Sequence, residues 1–184
     1  MRGTHRNSGV SLAVKTLLRQ SASSRRQTRA SLLNWTRCDA HHVLRVGPAQ
    51  GTLANGNWIY VYPRGLKDLL LYIRKRFENP AIYITENGIS SVEKTDDKTK
   101  DEELADDMRK HYLSVHIAEI REAIREGANV KGYFAWSLLD NFEWEHGFTE
   151  RFGLNYVDYN TLERIPKHSA KWFSKFCDPN PYQH

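Results

Sequence analysis

The sequence predicts an α/β fold with parallel strands of the barrel type, and three observations lead to this class. Two short apolar segments, 81–85 and 131–139, are rich in aromatic and β-branched residues and lack polar alternation. Each follows a segment whose apolar residues recur at helical spacing, so helix and strand alternate along the chain. Alternation of this kind favours parallel strands joined by right-handed crossovers. The missing polar alternation is expected of strands that are buried on both faces, as in a barrel.

The first helix is predicted from its end signals and its spacing. Pro63 is well placed near a helix start, and Asn79-Pro80 stops the helix. Apolar residues recur between these points at Leu66, Leu69, Leu70, Ile73 and Phe77. The strand 81–85 follows directly.

A longer helix is predicted over about 102–126, after a charged loop. Acids at its start complement the helix dipole, and Gly127 is its C-cap. Its apolar stripe consists of Leu113, Ile117, Ile120 and Ile124. His111 and His116 on this helix are predicted to be ordinary surface or hydrogen-bonded histidines, because no metal-ligand spacing accompanies them.

The end of the chain predicts a short extended segment over 152–158 and a last helix over 166–176. Trp172, Phe173 and Phe176 lie on one side of that helix. No internal repeat at a fixed period is found.

The charge distribution separates a basic head, 1–47, from the globular part, 48–184. The head carries nine Lys and Arg and one acid, whereas the remainder has 27 − 9 = 18 bases against 22 − 1 = 21 acids. The formal charge of +5 therefore belongs to an irregular head, and a nucleic-acid partner is not expected. No apolar run approaches the roughly 20 residues that span a bilayer, so no membrane partner is expected. Cys38 and Cys177 match no metal spacing and do not define a compartment.

One carboxylate, Glu86, stands where the first predicted strand ends, directly before the turn signal Asn87-Gly88. A charge at that place is costly unless it has partners or a chemical role. The carboxyl ends of barrel strands are where catalytic groups lie. By itself a lone strand-end Glu is more often a loop residue.

A second polar and aromatic cluster, 136–144, begins inside the second predicted strand and continues past its end. Indole faces stack on the apolar face of a pyranose, and carboxylates accept hydrogen bonds from its hydroxyls. The alternative is that Trp136 and Phe142 belong to the core and that Asp140 is a turn or cap residue. With a second strand-end carboxylate at Glu86, a carbohydrate site is favoured.

Three segments closely resemble signatures of the family 1 glycoside hydrolases, and of plant β-glucosidases in particular. They are 83–88 (YITENG), 132–144 (GYFAWSLLDNFEW) and 147–154 (GFTERFGL). The resemblance covers about 47–178. It implies a partial (β/α)8 TIM barrel consisting of the last two or so strands with their helices, behind the basic head. It also implies hydrolysis of terminal β-D-glucosides with retention of anomeric configuration.

The resemblance assigns roles to five residues. Glu86 matches the catalytic nucleophile that forms a covalent glycosyl-enzyme. Trp136 matches the platform beneath the glucose ring, and Glu143 the carboxylate that binds its outer hydroxyls. Trp144 matches an indole that hydrogen-bonds the sugar, and Phe152 an aromatic residue near the rim of the pocket. The resemblance implies no cofactor and no metal.

The second catalytic carboxylate is missing from the matching segments. In the family the acid/base lies upstream of the nucleophile in a Thr-Phe-Asn-Glu-Pro type motif, and 1–85 contains no such motif. Only Asp39, Asp68 and Glu78 are acidic there. The alternatives are therefore an inactive remnant or sugar-binding fragment, or a thioglucosidase relative, which needs no acid for its first step. With the other strands absent, the exposed barrel edges also predict self-association.

Overall fold

The computed structural model describes residues 14–15, 52–53, 59–92 and 99–179. Apart from one two-residue strand, the basic head 1–47 lies outside these residues. In chain order the strands and helices of the described part are β1 (Val14–Lys15), β2 (Thr52–Leu53), β3 (Tyr60–Val61), α1 (Pro63–Arg76), β4 (Ile82–Asn87), β5 (Ser91–Val92), α2 (Lys100–Leu104), α3 (Asp107–Arg125), β6 (Val130–Ala135), β7 (Glu150–Arg151), β8 (Asn155–Val157), β9 (Arg164–Pro166) and α4 (His168–Cys177).

The centre of the fold is a parallel pair of strands, β4 and β6, joined by the crossover helix α3. Helix α1 precedes β4 and packs against α3. The predicted alternation of helices with parallel strands is therefore confirmed. β1 pairs with β4 in the antiparallel direction, and the sheet order is β1-β4-β6. Within the described residues the sheet does not close, so the fold there is part of a barrel.

One apolar core fills the space between β4 and the two helices. Its buried members are Leu66, Leu70, Ile73, Ile82, Ile84, Ile120, Ala123 and Ala128. Burying each large aliphatic side chain stabilises the fold by about 1.5–3 kcal/mol. Lys67 on α1 adds an ion pair with Glu126, 2.5 Å from Nζ to Oε1, at the C-terminal end of α3.

A second core lies nearer the carboxyl ends of the strands. Ile89, Tyr112, Leu113 and Leu154 are buried there, with Trp172 and Phe173 of α4 packed against them. The predicted aromatic side of α4 is confirmed, since Trp172 and Phe176 stack with ring centroids 5.7 Å apart. This core places α4 directly behind the loops that carry the polar cluster.

The helix predicted over 102–126 is wrong in one respect, because it is interrupted at Ala105 and Asp106. The first piece, α2, begins with a capping box in which Thr99 and Glu102 satisfy each other's backbone N–H. The interruption has a tertiary cause. The Asp106 carboxylate accepts hydrogen bonds from Ser169 on α4, from its N at 2.8 Å and from its Oγ at 2.5 Å.

The apolar stripe predicted on this helix is also partly wrong. Ile124 is exposed, whereas the polar residues Arg109 and His116 are buried on the packed face. The His116 Nδ1 lies 2.8 Å from the carbonyl oxygen of Tyr112, one turn earlier. His116 is therefore a hydrogen-bonded histidine, as predicted.

The strand predicted over 131–139 ends at Ala135. Trp136 still donates its N–H to β4, and from Ser137 onward the backbone pairs with 152–155, as described below. Burial of β6 on both faces is not observed, because Phe134 is 58% exposed. The predicted extended segment over 152–158 contains β8, which pairs antiparallel with β9.

Among the helices of the described residues, none has the length and apolar character that a bilayer span requires. Cys177, at the end of α4, is an exposed free thiol.

Candidate active site

The carboxyl ends of β4 and β6 meet, and the two predicted polar segments begin at this point. Asn87 is opposite Ala135 in the parallel register, and the Trp136 N–H donates to the Asn87 carbonyl at 2.9 Å. Gly88 is required at the junction, since a Cβ there would overlap with the Trp136 carbonyl oxygen. The close approach brings the segment that follows β6 against the segment that follows β4.

A bulge near the end of β4 determines the direction of Glu86. Ile84 pairs with Tyr133 and Asn87 with Ala135, so three steps along β4 correspond to two along β6. Regular alternation would place Glu86 on the side of Ile82 and Ile84, which the helices cover. With one extra residue, Asn87 is buried instead and Glu86 is half-buried. The described residues provide no hydrogen bond or ion pair to the Glu86 carboxylate.

Glu143 and Trp136 form the contact at the centre of the second polar segment. The Trp136 indole Nε1–H donates to Glu143 Oε1 at 3.3 Å. A short 3-10 helix, Trp144–His146, follows, and the Glu143 N–H donates to the Gly147 carbonyl at 2.7 Å. The backbone turn at 143–147 thus holds the carboxylate beside the indole.

The pKa of Glu143 reflects its burial, its hydrogen bonds and two other carboxylates. Burial raises the pKa of the Glu143 carboxyl above its ordinary value, and hydrogen bonds from Trp136 and Asn141 oppose that shift. The negative charges of Glu150 and Glu86 raise the pKa further. Two of the residues predicted for the sugar site, Glu143 and Trp136, are therefore in contact, and the predicted nucleophile is within electrostatic range of them.

The other two predicted site residues differ sharply in exposure. Trp144 is 82% exposed and has a positive φ of 50°. Phe152 is only 4% exposed, at the start of the segment that pairs with the loop after β6. Trp144 is thus open to a ligand, whereas the ring of Phe152 is covered.

The loop after β6 is held at its base by a backbone ladder to 152–155. Ser137 N–H donates to the Phe152 carbonyl at 3.1 Å, and Leu154 N–H donates back to the Ser137 carbonyl at 2.8 Å. Gly153 permits this approach, because a Cβ there would overlap with the backbone at Asp140. Trp136 and Glu143 are both carried by the segment that this ladder fixes.

Asp140 is the polar centre of that base, and its side chain is fully buried. Its Oδ1 accepts from Lys167 Nζ at 2.9 Å and from Gly153 N at 2.8 Å, and its Oδ2 accepts from Arg151 Nη1 at 3.1 Å. Asp140 is therefore neither a sugar ligand nor a simple turn residue. It joins the loop to Arg151, Gly153 and Lys167.

A second buried ion pair continues this network toward α3. Arg109 pairs with Asp106, and its guanidinium also donates to the Ile89 carbonyl at 3.2 Å and to the Arg151 carbonyl at 2.5 Å. Burial and the nearby Arg109 charge lower the pKa of Lys167 to about 8, although Asp140 opposes this. The network ties α3, α4 and the loops after both parallel strands together.

Sequence reasoning did not identify this network or the β4 bulge. Arg109, Arg151 and Lys167 are ordinary in the sequence, because a cation at helical or strand spacing is usually on the surface. These three residues have a structural role only because of partners that are distant in the sequence. The described residues also bring together no group of three or more His, Cys, Asp or Glu side chains that could hold a metal ion.

The architecture and the site define a fragment of a parallel barrel with polar groups at the carboxyl ends of its strands. The model of the family described as glycosyl hydrolase family 1 matches residues 17–181. The chain therefore belongs to glycosyl hydrolase family 1.

Similar proteins are β-glucosidases. The furostanol glycoside 26-O-β-glucosidase of Hellenia speciosa is 57% identical over 132 residues, which are 71% of this chain and 22% of that protein. Beta-glucosidase 10 of Oryza sativa subsp. japonica is 53% identical over 133 residues, or 72% of this chain and 25% of that protein. The chain thus spans about a quarter of the length of these relatives.

Solved structures that are similar to this chain are also β-glucosidases. A rice β-glucosidase, Os3BGlu6, superposes with a TM-score of 0.65 at 41% identity, covering 70% of this chain and 27% of that one. A β-glucosidase of Humicola insolens, in complex with glucose, gives a TM-score of 0.64 at 41% identity, covering 71% and 28%. The division at residue 47 stays a prediction.

Proposed function

We propose that this chain is the nucleophile-bearing part of a retaining β-glucosidase that acts on terminal β-D-glucosyl residues. Glu86 is the nucleophile, Trp136, Glu143 and Trp144 bind the sugar, and Phe152, whose ring is covered here, belongs to the wall of the pocket near its rim. The observation that carries the proposal is the β4 bulge, which keeps Glu86 off the face of the strand that the helices cover. The names of the relatives add support, and the structure of one Os3BGlu6 variant holds glucose in a covalent complex.

The proposed first step is displacement at the anomeric carbon. A carboxylate oxygen of Glu86 forms a bond to C1 while the bond from C1 to the leaving group breaks, and the leaving group takes the electron pair. Glu143, through hydroxyl hydrogen bonds, and Trp136, through its indole face, orient the ring. A retaining enzyme also needs an acid/base about 5–5.5 Å from the nucleophile.

The second candidate function, a sugar-binding fragment without turnover, is favoured by the positions of the upstream acids. Asp68 is paired with Arg64 on the exposed side of α1, 3.0 Å from Oδ1 to Nε, and Glu78 is exposed after the end of α1. Asp39 lies outside the described residues. Neither described upstream acid lies at the carboxyl ends of β4 and β6, so full turnover would require an acid from another segment. A thioglucosidase relative remains the third candidate, since its first step needs no acid.

The proposal predicts covalent labelling of Glu86 by an activated 2-deoxy-2-fluoro-β-glucoside. The leaving group of this reagent needs no general acid, so only the position of the nucleophile is tested. Intact-mass measurement should give one fluoroglucosyl group per chain and none in Glu86→Gln.

Glu145→Gln is the matched control, because Glu145 lies near the site but is exposed. This variant should be labelled like the wild type. Labelling of Glu86→Gln would place the nucleophile elsewhere. A cooperatively folded chain that is never labelled would favour the sugar-binding fragment.

We also propose that the chain self-associates through the exposed apolar residues around the end of β6. Phe134 is 58% exposed and Leu138 is 68% exposed, with Trp136 between them at 37%. Large exposed apolar groups at neighbouring positions favour burial against another surface.

Light scattering during gel filtration should therefore give an oligomer for the wild type. Phe134→Lys combined with Leu138→Lys should shift the chain to the monomer. Leu162→Lys, which changes an exposed leucine elsewhere, should leave the oligomer intact. A wild-type chain that stays monomeric in gel filtration at the highest attainable concentration would contradict the proposal.

A further inference from the structure

The side chain of Asn87 is a buried and hydrogen-bonded polar group next to the proposed nucleophile, although no catalytic role is assigned to it. It is 4% exposed and follows Glu86 in the bulge of β4. Its Oδ1 accepts a hydrogen bond from the Tyr133 hydroxyl at 2.9 Å, and its Nδ2 donates to the Tyr112 hydroxyl at 3.1 Å. Its backbone carbonyl accepts from Trp136.

We call the hydrogen-bonded side chains of Tyr133, Asn87 and Tyr112 the clamp, because the two tyrosines belong to different elements. Tyr133 is on β6, the strand that pairs with β4, whereas Tyr112 is on the crossover helix α3. Tyr112 is itself fixed, since its ring packs on His116 with centroids 3.9 Å apart. Asn87 is thus held from the sheet and from the helix at once.

Both phenols remain protonated over the working range of a glycosidase. Burial raises the pKa of Tyr112 to about 12, with the hydrogen bond from Asn87 opposing. Burial also raises the pKa of Tyr133 above its ordinary value, and the neighbouring Tyr112 adds to this. The clamp therefore does not change its protonation between pH 4 and pH 9.

We propose that Asn87 is the positioning residue of the site, and that its clamp between Tyr133 and Tyr112 holds the bulge that keeps Glu86 off the helix-covered face of β4. An amide suits this position because one group must accept from one phenol and donate to the other. Without the clamp, β4 can return to regular alternation. Glu86 would then turn toward the helix-covered side, where a charge is costly.

The inference rests on the proposed function in taking Glu86 as the nucleophile, so its test has one measurement that needs no chemistry. The carboxyl carbon of Glu143 is titrated by carbon NMR in the wild type and in Glu86→Gln. Because the Glu86 charge contributes to the raised pKa of Glu143, removing that charge should lower the pKa. The difference between the two Glu143 pKa values reports how close the Glu86 and Glu143 carboxylates are.

The same difference is then measured in Asn87→Ala, Tyr133→Phe and Tyr112→Phe backgrounds. If the clamp holds the bulge, the difference in Glu143 pKa shrinks by at least half in Asn87→Ala and by less in each phenylalanine variant. Tyr72→Phe is the matched control, since Tyr72 is exposed on α1, and it should leave the difference unchanged. The phenylalanine variants keep the core volume and supply the answer if Asn87→Ala does not fold.

The labelling reaction gives the second measurement. In Asn87→Ala the first-order labelling constant should fall by roughly tenfold to a hundredfold, as expected for a displaced nucleophile, while reagent affinity changes little. An unchanged titration difference in folded clamp variants overturns the inference, and so does a wild type in which Glu86→Gln leaves the Glu143 pKa unchanged. A wild type that is not labelled, yet loses the titration difference in Asn87→Ala, counts against the proposed function and for the clamp.

Discussion

Replacing Asp140 with alanine is expected to cost about 3–5 kcal/mol of unfolding free energy, because it breaks a buried ion pair. The buried ionic network contains three cations and two carboxylates, namely Arg109, Arg151, Lys167, Asp106 and Asp140. Removing the Asp140 carboxylate leaves the Lys167 ammonium buried without its ion-pair partner and removes one of the contacts of Arg151. Urea unfolding measures the loss.

Asp68→Ala is the matched control for Asp140→Ala. It makes the same chemical change in an exposed ion pair with Arg64, and such pairs contribute about 0–1 kcal/mol. Adding Lys167→Met to Asp140→Ala should recover part of the loss, because it removes one unpaired charge. Equal costs for Asp140→Ala and Asp68→Ala would mean that the network does not stabilise the loop.

The unfolding free energy of the chain depends on pH through Lys167, whose pKa is lowered to about 8 in the folded chain. The unfolded chain has the ordinary lysine value of about 10.4. Between these values the unfolded chain binds more protons, so Lys167 makes stability rise with pH, by up to about 1.4 kcal/mol per unit. Below about pH 8 both states are protonated and this contribution to the slope disappears.

Replacing Gly88 with alanine is expected to be the second large effect, a loss of roughly 3 kcal/mol or more. The new methyl group would overlap with the Trp136 carbonyl oxygen, which is backbone and cannot rotate away. The carboxyl ends of β4 and β6 must then separate. Labelling of Glu86 should decrease together with the melting temperature, because Trp136 and Glu143 move relative to the nucleophile.

Gly147→Ala separates this overlap from simple backbone strain. Gly147 has a positive φ of 58°, but a Cβ there would have nothing within 4 Å. Its replacement should cost about 1–3 kcal/mol, the strain of a non-glycine residue at φ 58° and ψ −125°, a backbone conformation that glycine adopts readily and other residues do not. If Gly88→Ala costs no more than Gly147→Ala, the junction is looser than the structure indicates.

The sequence predicted those parts of the fold that depend on local pattern. Helix α1 was predicted from Pro63 and its apolar spacing, and the strand at Glu86 from its β-branched run. The family followed from three motifs. Each of these signals is carried by residues that are close together in the chain.

The parts that the sequence did not predict depend on tertiary partners. The interruption before α3 exists because Asp106 binds Ser169, 63 residues away. The early end of β6 exists because Ser137 pairs with Phe152 and Leu154. The β4 bulge also has no local sequence signal, because the segment YITEN has the composition of a regular strand.

The sequence separations in the ionic network have a consequence for the order of folding. Asp106 reaches Ser169 across 63 residues, and Arg109 reaches Arg151 across 42, so neither contact forms before distant parts of the chain meet. Parallel strands joined by a long crossover also form slowly. The core between α1, β4 and α3 needs only residues 66–128, whereas the loop that carries Glu143 is fixed only when 151–169 are in place. We therefore expect that core to form first and the end of the sheet that carries Glu86 and Glu143 to be completed last. On that pathway the end of the sheet that carries Glu86 spends the longest time unfinished, and a kinetic intermediate would already have the helices but not the proposed site.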